Sequence, residues 1–304
     1  MAGALGGNGS GLGDDCALLP EGAGTVAIST DVSVEGVHFQ LDWLTLREVG
    51  WRATAAALSD LAADAAEPLA VLSAVTAPAG AGERELAELA AGVGAAAAAA
   101  GAAVVGGDLS AGPAWSVAIT VVGRVERPVT RSGARPGDGV WVTGALGAAR
   151  SALEAWRRGD APSEAARRAF ARPEPRVAAA RWLAAHDARA MLDLSDGLAG
   201  DAPHLAAASG VAIDLTLDTV PVAADTIAEA RRLGVPVQQF AAEGGEDYEL
   251  LVALPDDFSA GDVREFERAA EIALTRVGSV RRGRGVRARL AGRPITLRGY
   301  SHFR

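Results

Sequence analysis

The sequence contains no lysine: apart from four histidines, every basic side chain is an arginine. No flexible ammonium is available as a phosphate-binding point charge, so a basic contact to an anion has to be a guanidinium fork. Cys16 is the only cysteine, which excludes an internal disulfide and suits a reducing cytoplasm. His38, His186, His204 and His302 are scattered, so no His/Cys cluster suggests zinc. The pattern GxxxxGK[ST] and a strand-anchored lysine are both missing, which removes the two commonest phosphate-binding devices. Long apolar runs are missing too. The most apolar stretch, residues 92–105, is mostly alanine and glycine and too short to span a bilayer. The opening residues, MAGALGGNGSGLG, lack the basic and apolar regions of a secretory signal. A net charge of -9 offers no general attraction to nucleic acid or anionic membrane. The expectation is a cytoplasmic protein with neither nucleic acid nor membrane as partner.

What is present is an ordinary globular composition, 49% hydrophobic and 22% charged over 304 residues, enough for two domains. TVAIS (25–29) reads as a short buried strand ending at Thr30-Asp31. Thr45 and Glu48 predict a capping box for a helix reaching about Ala65. Residues 71–76 and 115–125 read as strands, and 83–100 as a helix loosened by Gly92 and Gly94. The Gly- and Pro-rich RSGARPGDG (131–139) has no periodicity and marks a boundary between domains 1–130 and 131–304. Beyond it, strands are predicted at 140–143, 190–194, 211–217 and 249–254, and helices at 147–156, 164–170, 177–186 and 201–209. Strands and helices mix in both halves, so the class is α/β or α+β. The arginines at 281, 282, 284, 287 and 289 read as a solvated hairpin, since no aromatics are interleaved with them.

Five short segments place aspartate beside glycine, serine or threonine at the predicted end of an element: Asp14-Asp15, Asp31, Asp60, Asp108, and Asp193 with Asp196. Each alone is compatible with a turn or a helix cap, where aspartate bonds nearby backbone N–H groups. Together they suggest strand ends gathered at one sheet edge, where ligands bind in open α/β folds. Asp60 differs, because it interrupts an Ala/Leu-rich helix where an unpaired carboxylate is costly. Converging carboxylates repel, by about 4 kcal/mol per pair at about 4 Å and an effective dielectric of about 20. Cations between them relieve this, and an all-oxygen ligand set suits Mg²⁺ with phosphates completing the shell. Gly106-Gly107 and Gly244-Gly245 are either tight turns or backbone nests for phosphate, and Arg131 is a candidate phosphate fork.

Eight blocks of sequence carry a resemblance. They are GLGDDCALL (11–19), ISTDVSVEGVHF (28–39), ALSDLAA (57–63), VVGGDLS (104–110), TRSGARPGDGVWVTG (130–144), LDLSDGLAGD (192–201), GGEDYELLVALP (244–255) and GYSHF (299–303). In this order and over nearly the whole chain, they resemble the thiamine-monophosphate kinases, members of the PurM-like superfamily of aminoimidazole ribonucleotide synthetase. The resemblance implies a two-domain PurM-like architecture, with an N-terminal mixed sheet carrying helices and a C-terminal α/β sandwich. It implies ATP-dependent, Mg²⁺-assisted phosphorylation of thiamine monophosphate to thiamine diphosphate by a homodimer. Position by position, it implies that Asp15, Ser29, Thr30, Asp31, Asp60, Asp108, Asp193 and Asp196 are metal positions. Gly107, Asp108, Arg131 and Ser195 become ATP positions, and His38 and Glu246 hold the thiamine phosphate. Some members carry a C-terminal aromatic on the substrate ring; Leu297 is not aromatic, so Tyr300 or Phe303 is the substitute. Asp31, Asp60 and Asp108 are expected to hold Mg²⁺ at the ATP phosphates, and Asp15 and Asp193 a metal nearer the acceptor. Rival readings are a superfamily relative with a different acceptor, or a metal-dependent phosphatase using the same carboxylates on water.

Overall fold

The computed structural model describes residues 13–22 and 24–299. Among them, β1 (Ala17–Glu21), β2 (Gly24–Val34), β3 (Glu67–Pro78), β4 (Ala103–Gly112) and β5 (Ser116–Val125) form a five-stranded mixed sheet in the order β1-β2-β5-β3-β4. The β3–β4 pair is parallel and the others antiparallel. Two helices, α1 (Leu46–Ala63) and α2 (Glu83–Ala99), accompany this sheet. The second sheet has seven strands: β6 (Gly139–Thr143), β7 (Ala190–Asp193), β8 (Ala212–Thr216), β9 (Leu250–Leu254), β10 (Leu274–Arg281), β11 (Gly285–Leu290) and β12 (Arg293–Ile295). Their order is β12-β11-β8-β10-β6-β9-β7. Helices α3 (Ala148–Arg157), α4 (Glu164–Ala171), α5 (Val177–Ala185), α6 (Leu198–Ser209), α7 (Thr226–Leu233), α8 (Val237–Ala242) and α9 (Ala260–Ala270) complete this half. Strands β6 (GVWVT) and β9 (LLVAL) are buried at every residue, which is why they are apolar runs and not alternations.

Helix α1 is the axis of the molecule. It begins at the predicted capping box: Thr45 Oγ1 accepts the Glu48 amide at 3.3 Å, and Glu48 Oε2 accepts the Thr45 amide at 2.9 Å. Its alanines let it be buried on several sides, against the first sheet, α2 and β7. The approach to α2 is closer than an ordinary pair of side chains allows. A Cβ on Gly50 would lie 2.1 Å from the Leu89 carbonyl oxygen, and one on Gly92 would lie 2.0 Å from that of Arg47. Gly92, read from the sequence as loosening its helix, is instead the point of contact.

Three sequence expectations change. β2 does not stop at Ser29 but runs to Val34, because its antiparallel pairing with β5 continues to Val34 opposite Ser116. Asp31 is therefore a mid-strand residue, and so is Asp108 in β4. The arginine-rich segment is not a hairpin: β8 lies between β10 and β11, and Asp214 of β8 is within 3.7 Å of Arg281 and 3.9 Å of Arg287. Helices α7, α8 and α9 were not anticipated, being short segments without a long apolar period.

Gly92→Ala should destabilise the protein by about 1–3 kcal/mol through overpacking. Denaturant melts of Gly92→Ala beside Gly94→Ala, where a Cβ meets nothing within 4 Å, check this.

Candidate active site

Alternation along β2 puts Ser29 and Asp31 on one face of the sheet, the face that looks toward α1. Their register partners on β5 are Val121 and Ile119, both fully buried. Asp60, in the last turn of α1, meets this face: Ser29 Oγ donates to Asp60 Oδ2 at 2.5 Å. Asp193 arrives from the C-terminal end of β7, and Asp15 from the turn before β1. One carboxylate oxygen each from Asp15, Asp60 and Asp193 lies within 4.8 Å of the others. Asp15 and Asp193 are 8% and 4% exposed. Carboxylates brought together and dried in this way hold their protons. Burial, then Asp31 and Asp193, push Asp60 well above the ordinary range. Burial and Asp15 raise Asp193 to about 7. Burial raises Asp31, and it raises Asp15 despite the opposing Arg131 guanidinium.

Arg131 forks Asp15, with Nε donating to Oδ2 at 2.9 Å and Nη2 to Oδ1 at 2.6 Å. That one guanidinium leaves Asp31, Asp60 and Asp193 without a cationic partner in the described residues. The donors are oxygens only, the charge is in excess, and the geometry is convergent, so this set fits a hard divalent cation. Asp60, Asp31 and Asp193 also line a cavity of about 930 Å³. His38, Ser195, Asp196 and Glu246 line the same cavity.

The remaining predicted positions are placed as follows. His38 sits in the turn after β2, where its Nδ1 accepts the Val34 amide at 3.1 Å, so a neutral ring carries its proton on Nε2. The Asp196 amide donates to Asp201 Oδ2 at 3.0 Å, and Asp201 is pushed up to about 9 by burial, then by Asp193 and Asp196. Glu246 accepts hydrogen bonds from Arg52 and from Tyr248 Oη. Thr30 is exposed on the other face of β2, with its hydroxyl paired to Thr120 Oγ1 at 2.9 Å. Gly107 and Asp108 lie on β4, three strand spacings of about 4.8 Å from β2. Asp108 shares its register row with Ala74, Ala118 and Val32, on the outer face, and is exposed. A single chain therefore does not bring Asp108 to the cluster. Tyr300 and Phe303 lie outside the described residues.

The two glycine pairs act through close approach. A Cβ on Gly107 would lie 2.0 Å from the Ser73 carbonyl oxygen, beside the bulge between β3 and β4. One on Gly245 would lie 2.4 Å from that of Ser195. The second contact seats the 244–248 loop on the 194–197 turn.

Several residues at or behind the site carried no sequence signal. Trp43 and Trp156 stack with centroids 5.2 Å apart and planes 3° from parallel, and Trp156 meets Phe170 edge-on. Asp64, the C-cap of α1, is fully buried and pushed up to about 8 by burial, then by Asp15 and Asp14. The tryptophans come from separate elements, so no spacing links them. Asp64 is one more aspartate near a helix end.

Two consecutive domains define the class of protein. Residues 13–125 match the N-terminal domain of AIR synthase related proteins, and residues 135–291 match their C-terminal domain. A thiamine-monophosphate kinase of Mycobacterium tuberculosis is 36% identical over 83% of this chain and 76% of its own length. One from Halobacterium salinarum is 40% identical over 83% of each. The solved structure of AaThiL complexed with AMPPCP and TMP superposes with a TM-score of 0.87 at 30% identity, over 99% of this chain and 98% of that one. The chain belongs to the thiamine-monophosphate kinase family, with its two-domain mixed α/β fold.

The raised carboxyls set a pH dependence. Between about pH 4 and 7 the folded protein keeps protons that the unfolded chain has released, so stability falls as pH rises through that window. In EDTA the thermal midpoint should drop from pH 5 to pH 7. Millimolar Mg²⁺ should flatten the slope, and Asp60→Asn should raise the midpoint in EDTA at pH 7.

Proposed function

We propose that this chain transfers the γ-phosphoryl group of ATP to thiamine monophosphate, giving ADP and thiamine diphosphate. The observation that carries the reading is the convergence of Asp15, Asp60 and Asp193 beside a cavity that also takes in Asp31, His38 and Glu246. Relatives bearing the kinase name, and a neighbour holding AMPPCP together with TMP, support it.

Donor and acceptor are both anions, so the chief task is to let two polyanions meet. Asp31, Asp60 and Asp193 would hold Mg²⁺, with Asp15 and Asp196 at the margin; bound there, the ion neutralises phosphate charge. Ser29 keeps Asp60 aimed by donating to one of its oxygens. Ser195, just past the end of β7 and on the cavity wall, would contact the nucleotide, and Arg131 would exchange part of its hold on Asp15 for a phosphate oxygen. The acceptor phosphate is already ionised near neutral pH, so no strong general base is needed. His38 would then serve as a substrate contact, and Glu246 as an acceptor for the thiamine moiety. Transfer is direct, without a phospho-enzyme.

The protein is a homodimer in this reading. β4 is exposed along nearly its whole length, and Val32, Leu72, Val105 and Leu109 leave 38–61% of their surface open. Val32 and Leu72 lie on the outer face and Leu109 on the opposite side of the edge strand β4, so this exposed apolar edge, with the outer face beside it, is the pairing surface for a second copy. Asp108 lies on that strand, so a metal or nucleotide role for Gly107-Asp108 would be exercised across the dimer. No helix among the described residues is long and apolar enough to cross a membrane. We place the activity in the cytoplasm.

Coupled ADP detection with Mg²⁺ should show turnover with thiamine monophosphate, and none with thiamine or buffer alone. Phosphate release without acceptor would instead identify a phosphatase. Asp60→Ala should lower kcat by at least about 10²–10³-fold with its circular dichroism unchanged. Val105→Glu should shift the sedimentation profile from dimer to monomer; an unshifted dimer would place the interface elsewhere.

A further inference from the structure

We propose that Arg52 is a positioning residue for the acceptor. It holds Glu246 as an ionised carboxylate with one oxygen clamped and the other presented to the cavity. This rests on the reading that Glu246 contacts the acceptor.

Arg52 lies on α1 and is 3% exposed. A guanidinium does not shed its charge, so burying it demands partners. The structure supplies three. Nη1 donates to the Phe170 carbonyl oxygen at the C-terminal end of α4, at 2.5 Å. The guanidinium carbon stands 3.8 Å over the centre of the Phe170 ring. Nη2 donates to Glu246 Oε2. Tyr248 Oη donates to that same oxygen at 3.0 Å. Both donors land on Oε2, no described residue engages Oε1, and Glu246 lines the cavity.

The backbone is held as firmly as the side chain. Glu246 and Tyr248 both occupy the left-handed region, at φ 69° and 51°, which costs free energy for residues with a Cβ. What holds them there is a pair of bonds to the end of β7. The Glu246 amide donates to Ser195 O at 2.8 Å, and the Tyr248 amide donates to Leu194 O at 3.0 Å. This conformation turns the Glu246 side chain back toward α1, where Arg52 waits.

A carboxylate paired with a permanent cation acts only as an acceptor. A site built around it selects a ligand that brings a donor, such as the amino group of an aminopyrimidine. Arg52 and Asp60 also share one helix. Eight residues separate them, or about 12 Å along the axis. α1 thus fixes the distance between the metal-binding carboxylates and the carboxylate that would grip the far end of the acceptor.

The test is steady-state kinetics with MgATP and thiamine monophosphate on Arg52→Met, Arg52→Lys, Tyr248→Phe, Glu246→Gln and the double variant Arg52→Met/Glu246→Gln, each with its melting temperature. Arg52→Met should raise the acceptor KM about 10- to 100-fold, with kcat and the ATP KM within about 3-fold of wild type. Arg52→Lys should fall between wild type and Arg52→Met, and Tyr248→Phe should raise the acceptor KM several-fold. The double variant should be no worse than the poorer single one, because both changes remove the same interaction. Acceptor KM, ATP KM and kcat deteriorating together with the melting temperature would show a mere strut and overturn the proposal. If Arg52→Met does not fold, an unchanged acceptor KM in Arg52→Lys and Tyr248→Phe overturns it. A wild-type acceptor KM in Glu246→Gln removes the assignment of Glu246, and the proposal with it. A raised one beside normal Arg52 variants overturns the positioning role alone.

Discussion

Mutual repulsion among buried carboxylates is the constraint around which this molecule is organised. Asp15, Asp60 and Asp193 come from a turn, a helix and a strand end far apart in the chain, and they meet with one arginine among them. Folding alone gains nothing from that meeting. Each carboxyl is buried among its own kind and is pushed toward the protonated form. A set of oxygen donors that carries such a cost is one whose repulsion a small divalent cation would offset. The excess negative charge that destabilises the fold is therefore the same feature that fits these oxygens to a hard cation.

The scaffold that sustains this cost is α1. Alanine along most of its length lets it be buried on several sides, and the Gly50 and Gly92 contacts draw α2 against it. A helix so confined cannot tilt away to separate the charges. It carries Asp60 to the carboxylate cluster and Arg52 to the loop of the other half of the molecule, and so relates the two parts of the cavity. The strained 246–248 turn belongs to the same design. Its backbone is tied to the end of β7, the strand that also delivers Asp193. The clustered carboxylates and the 246–248 loop are thus referred to one helix and one strand.

The N-terminal sheet has two unlike faces. Its inner face presents Ser29 and Asp31 to α1. Its outer face presents Thr30, Val32 and Asp108. Alternation along β2 divides neighbouring residues between chemistry and surface. A motif as compact as Ser-Thr-Asp is therefore split, with Ser29 and Asp31 in the site and the Thr30 hydroxyl paired to Thr120 across the outer face.

The sequence by itself determined the fold class, the family, the capping box at Thr45 and the oddity of Asp60. Each of these rests on local composition, on period, or on peptides long enough to be specific. It also supplied the aspartates, but not the means by which they meet. The expected gathering of strand ends at a sheet edge is realised only by Asp193; Asp31 is mid-strand and reaches the cluster because a helix lies over that face. Which oxygen of Glu246 is free, whether Asp108 can join the cluster, and that β8 separates the two arginine-bearing strands were decided by tertiary structure alone. Strand order, facing and helix crossing are long-range pairings, and they leave no period or spacing in the residues that make them.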